Sequence, residues 1–138
     1  MKPEILLNNL NEALNNHDIE AFLKCFSTNY TSEQPVHPAR LFRGKEQVRK
    51  NWSLNFQEMP DFRSKILRHI NSDNTIWVEW EWNGTRQDGS KLQMCGVSIF
   101  GIEQDEISWG RLYVEPIQAD GEGIDIAIKE IMHGKKNE

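Results

Sequence analysis

The stretch "SEQPVHPAR", residues 32–40, places Glu33, Gln34 and His37 within five positions of one another, with Pro35 and Pro38 stiffening the backbone around them. A histidine beside a carboxylate is a workable general base near neutral pH, so these three are the candidate catalytic residues. The same stretch also suits a proline-rigid loop with exposed polar side chains. A second candidate is "IWVEWEWNG", residues 76–84, with three tryptophans and two glutamates in nine positions. Its glutamates, Glu79 and Glu81, either line a site or face away from one. No metal is expected: His17, His37, His69 and His133 fall on separate elements without paired ligand spacing. No glycine-rich phosphate loop, serine elbow or cysteine–histidine pairing occurs, so the chemistry implied needs no cofactor.

The chain is expected to form a single domain, residues 1–138. A chain of this length buries roughly two-thirds of its unfolded surface. A net charge of −5 and a pI near 5.4 exclude nucleic acid or an anionic membrane as partner, since both want a basic face. Lys135-Lys136 is too short a basic cluster to alter that. The N-terminus, "MKPEILLNNLNE", carries charge and asparagine where a signal peptide needs an apolar run, and no stretch is long enough to span a membrane. A cytoplasmic location is expected. Cys25 and Cys95 read as reduced, buried thiols.

Leu6, Leu7, Leu10 and Leu14 recur at helical spacing after Pro3. Asp18 reads as the N-cap of a second helix, "IEAFLKCF". "NYTSEQPVHPARLFRG" reads as a short strand running into a long irregular loop. A third helix, "KEQVRKNWSLNFQEM", keeps Val48, Trp52 and Phe56 on one stripe until Pro60. The period then turns alternating: "FRSKILRHI", "TIWVEWEW", "KLQMCGVSIFGI" and "ISWGRLYVEP" predict four strands in a meander. Ile124, Ile128 and Ile131 mark a last helix stopped by Gly134. Helices followed by an antiparallel sheet give an α+β class, the helices packed on the concave face of a curved, mainly antiparallel sheet.

Which face of that sheet looks inward is decided by cost. Turning the odd positions inward would bury Glu79 and Glu81 together, whereas the even positions offer Ile76, Val78, Trp80 and Trp82. With "EQD" as the turn between the last two strands, Met94, Gly96, Ser98 and Phe100 join the apolar side, with Gly110, Leu112 and Val114. Gly96 and Gly110 would leave volume there for a ligand. The expected ligand-binding residues are therefore Trp52, Phe56, Val78, Trp80, Trp82, Met94, Ser98, Phe100 and Leu112. The opposite face carries Trp77, Glu79, Trp109, Arg111 and Tyr113, an interface composition that implies a homodimer through that face.

"HDIEAFLKCFSTNY", "EQPVHPARLFRGKEQVRKNW", "MPDFR" and "GVSIFGIEQDEISWGRLYVEP" together resemble the SnoaL-like families of the nuclear-transport-factor-two superfold, over about residues 4 to 117. The resemblance implies a cone-shaped, cystatin-like α+β roll with an apolar pocket, usually a homodimer. The superfold includes ketosteroid isomerases, polyketide cyclases, epoxide hydrolases, dehydratases and non-enzymatic binders, so fold does not settle function. Relative to the isomerases, Gln34 stands where the base aspartate would be, and Leu10 and Ser98 where the oxyanion-binding tyrosine and aspartate would be. Relative to the epoxide hydrolases, Leu112 replaces the last-strand aspartate, unless Glu79, Glu81 and Arg111 rebuild that triad from the other face. The expectation is a small, largely apolar organic ligand, with or without cofactor-free acid–base chemistry. A non-catalytic dimeric binding or interaction module is the alternative.

Overall fold

The computed structural model describes residues 2–134, so Lys135-Lys136 lies outside the described residues. Helix α1 (Pro3–Asn16) buries Leu6, Leu7, Leu10, Ala13 and Leu14 on one face. It stops at His17, which turns left-handed at φ 53° and returns its N–H to the carbonyls of Ala13 and Leu14. Asp18 caps α2 (Ile19–Lys24) by accepting the Ala21 N–H at 3.0 Å. Strand β1 (Phe26–Glu33) leads through a 3₁₀ turn (Pro38–Arg40) to β2 (Phe42–Arg43) and α3 (Lys45–Glu58). The meander follows as β3 (Arg63–Ser72), β4 (Thr75–Thr85), β5 (Lys91–Glu103) and β6 (Glu106–Pro116), and α4 (Ile124–His133) ends the described chain.

The six strands form one curved, open sheet in the order β2-β1-β6-β5-β4-β3, and the architecture is α+β. The expected meander accounts for four of them. The rest differs from expectation: β1 is eight residues long and lies parallel to β6, pairing Ser32 with Gly110 and Glu33 with Arg111. Its polar sequence conceals this, because its partner is distant in sequence and half of its side chains face away from the core.

The β5–β6 turn also differs. Glu103 pairs with Glu106, so the turn is the two-residue Gln104-Asp105, both at positive φ (50° and 63°), as twist-matched hairpins prefer. Taken alone, a two-residue turn would put the apolar residues of β6 on the wrong side. A bulge between Gly101 and Ile102 restores the parity, so that Phe100 faces Gly110 and Ser98 faces Leu112. The even face is therefore inside: Ile76, Val78, Trp80, Ser98 and Phe100 are all buried.

Two further expectations change. Cys25 is buried, but Cys95 is exposed, since its odd position in β5 places it between Glu81 and Glu115 on the outer face. Helix α4 forms as predicted, yet its Ile124, Ile128 and Ile131 stripe remains exposed. Among the described residues no helix is long and apolar enough to cross a membrane.

Candidate functional site

The concave face divides into a packed end and an open end. At the packed end Trp80 is 1% exposed, its ring 5.5 Å from that of Trp82. Both indoles are satisfied: Trp80 Nε1 donates to Ser98 Oγ at 3.0 Å, and Trp82 Nε1 to Ser64 Oγ at 2.9 Å. Ser64 in turn donates to Asn11 Oδ1 at 2.7 Å. These bonds let polar tips sit inside an apolar core without desolvation cost. Trp52 of α3 closes edge-on against Trp82 at 5.3 Å. Only about 50 Å³ of space remains here, between the aromatic cluster, Ser98, Phe100 and Leu112.

Toward β1 and α3 the packing opens into a cavity of about 260 Å³. Its apolar wall includes Phe26, Phe42, Val48, Trp52, Trp82, Met94, Leu112 and Val114. Its polar groups are Tyr30, Ser32 and Gln34 from the inward side of β1, and Asn51 and Asn55 one turn apart on α3. None of the residues lining it carries a formal charge. Open grooves also lie beside α4 and between α1 and α2, and another, outside α3, adjoins the cavity and shares Asn51 and Asn55 with it.

Of the residues expected at the ligand, Trp52, Trp82, Met94 and Leu112 line this cavity, and Trp80, Ser98 and Phe100 line the narrow space beyond it. Val78 and Phe56 line neither: Val78 is buried in the core, and Phe56 stacks on His17 at 4.7 Å. Gln34 lines the cavity, with its Oε1 accepting from Arg40 Nη1 at 2.9 Å. His37 does not line the cavity: its Nε2 lies 2.9 Å from Glu115 Oε1, and Arg40 approaches the other oxygen of Glu115 at 3.7 Å. Glu33 does not join them. It faces outward on β1 and pairs with Arg111 at 3.8 Å.

The outer-face triad is not assembled either. Glu79 is held by Arg68 at 2.8 Å and lies opposite Val97, whereas Arg111 lies opposite Ile99 and Glu33. Among the described residues no group of three or more histidines, cysteines or carboxylates could hold a metal ion.

Tyr30, Ser32, Asn51 and Asn55 escaped the sequence reading. "NYTSEQ" reads as a short strand giving way to loop, and the apolar stripe of α3 draws attention away from its asparagines. The available signal was alternation in β1, where Tyr30, Ser32 and Gln34 share a parity. Burial pushes the Tyr30 phenol up to about 12, with Ser32 partly opposing. It stays protonated at any ordinary pH.

The two mid-strand glycines do not create the cavity. A side chain at Gly96 (φ 148°) would meet the Tyr113 carbonyl oxygen at 2.0 Å, so the backbone itself requires glycine there. At Gly110 an added methyl would meet the Tyr30 hydroxyl at 2.6 Å and the Phe100 ring at 3.2 Å. Gly110→Ala is expected to displace the phenol and cost about 1–3 kcal/mol, the range for overpacking a core. Urea unfolding would check this, and an unchanged midpoint would contradict the packing described.

A SnoaL-like domain model matches residues 7–109. The chain belongs to the SnoaL-like family. Its fold is similar to that of IdmH from Streptomyces antibioticus, a candidate polyketide cyclase, at 14% identity and TM-score 0.72 over 83% of this chain and 93% of that one. A candidate SnoaL-like polyketide cyclase from Shewanella denitrificans matches at 11% identity and TM-score 0.69, over 83% and 92%. A hypothetical protein with a ketosteroid isomerase-like fold from Catenulispora acidiphila, in complex with trimethylamine, matches at 14% identity and TM-score 0.66, over 82% and 86%. No curated protein matches the sequence at a significant level. At these identities the structural matches establish the SnoaL-like fold alone.

Proposed function

We propose that this SnoaL-like protein binds a neutral, largely apolar organic molecule in the cavity between β1 and α3. The observation that carries this is the wall's composition: aromatic and aliphatic side chains with five neutral polar residues and no charged one. A chain of net charge −5 keeps its charges off this wall, and an ion entering would lose hydration without gaining a counter-ion. About 260 Å³ suits a molecule of two or three small rings, near the lower end of ordinary ligand sites. The candidate cyclases among its structural neighbours favour a ring-containing or ring-forming guest.

Binding is a better reading than acid–base turnover. His37 and Glu33 are engaged outside the cavity, and burial pushes the phenol of Tyr30, the titratable group among its lining residues, up to about 12, so it holds its proton near neutrality. Calorimetric titration with tetralin and with its carboxylate derivative tests the proposal. Saturable tetralin binding is expected, with the carboxylate at least about tenfold weaker, a difference of about 1.4 kcal/mol. Equal affinity for the two, or no binding of tetralin, would overturn it.

A further inference from the structure

We propose that Tyr30, backed by Ser32, is the anchoring group of this cavity and donates a hydrogen bond to a carbonyl-type oxygen on the ligand. The inference rests on the binding role proposed above and adds the functional group the ligand must carry.

Tyr30 and Ser32 are two apart on β1, so their side chains leave the sheet on the same side, and both line the cavity. They are 3% and 1% exposed, so neither hydroxyl is bathed in bulk water when the cavity is filled. Ser32 lies opposite Gly110 in the β1–β6 register, and the space above Gly110 is where the Tyr30 hydroxyl rests. A β-carbon there would collide with that oxygen, so glycine keeps the phenol seated beside Ser32.

The proton count then sets what the pair can offer. Two hydroxyls carry two protons, and a mutual bond uses one. In this proposal Ser32, on the same side of β1 and lining the same cavity, donates to the phenol oxygen. With that bond in place, the Tyr30 proton is free for a ligand, on a buried phenol lining a cavity whose wall is mostly apolar. A buried donor without an acceptor is costly, and a ligand oxygen relieves that cost. A carbonyl fits best: it accepts without bringing a proton of its own, and it leaves the rest of the guest apolar for Trp52, Trp82 and Leu112.

The test compares α-tetralone with tetralin, which share a bicyclic skeleton and differ at the carbonyl. In the wild type the ketone should bind about tenfold more tightly, as when a polar site is left unpaired by an analogue lacking the matching group. Tyr30→Phe should erase that preference, so that the two compounds bind with equal affinity. Ser32→Ala should reduce the preference without abolishing it. Infrared spectroscopy gives a readout that loss of packing would not mimic. The carbonyl stretch of bound tetralone should fall below its value in hydrocarbon solvent for the wild type, and return to it in Tyr30→Phe.

If Tyr30→Phe fails to fold, the wild-type infrared shift alone decides, and an unshifted stretch overturns the proposal. A preference that survives Tyr30→Phe also overturns it. Tetralin and tetralone binding equally well would remove the anchor but leave the binding role intact, whereas binding of neither would remove both.

Discussion

Trp80→Ala should leave the protein close to unfolding, with a loss of about 3–5 kcal/mol set against a total stability of about 5–15 kcal/mol for a domain. Trp80 is 1% exposed and packs on Trp82, so truncation opens a void that the paired strands on both sides cannot close. It also strands the Ser98 hydroxyl, whose hydrogen-bond donor is the Trp80 indole. Trp80→Phe separates the two effects: it refills most of the volume but still orphans Ser98, and should cost about 1–3 kcal/mol. Urea unfolding of both variants is the measurement. A Trp80→Ala loss below about 1 kcal/mol would mean that this end of the concave face is not packed.

Trp77→Glu should convert a dimer to monomers. We propose that the outer face of the sheet closes against a second copy of the chain. Trp77 and Tyr113 are 47% and 37% exposed there, and Ile70, which pairs with Trp77, is 67% exposed. Large apolar groups clustered on one sheet face are unusual unless something covers them. Pairing through this face would bury Trp77 against the second copy, where a carboxylate would be desolvated. Trp109 is the less informative position. Its indole lies across Gly101, within 2 Å of where a β-carbon would stand, so changing it would also disturb the strand pair. Sedimentation equilibrium at micromolar concentration decides the matter. A wild type that is already monomeric, or a Trp77→Glu variant that remains dimeric, would refute the arrangement.

Much of the fold was readable from local signals. Asp18 announces α2, Pro60 ends α3, and alternation beyond it marks the four strands of the meander. Those features depend on neighbours a few residues apart. The parallel β1–β6 pairing does not, since Ser32 meets Gly110 across most of the chain. That one unseen pairing also hid the polar half of the candidate site, because Tyr30 and Ser32 matter only once β1 is known to be a strand facing α3. Glu33 shows the same gap from the other side: its chemistry suits a base, but its parity sends it to Arg111 on the outside. Cavity position follows from volumes, too. The aromatic residues expected to surround a ligand fill most of their own space, and the opening lies one strand over.

The bulge at Gly101 and Ile102 has a consequence for how such chains change length. Which side of β6 is apolar depends on a count of residues around the hairpin as much as on their kinds. A single insertion or deletion in that hairpin would turn Leu112 and Val114 toward solvent and bring Arg111 and Tyr113 inside, with no side chain altered. The bulge supplies the odd residue that makes a two-residue turn compatible with this amino-acid order. Related chains can therefore vary the hairpin freely in steps of two, but in steps of one only if a bulge appears or disappears at the same time.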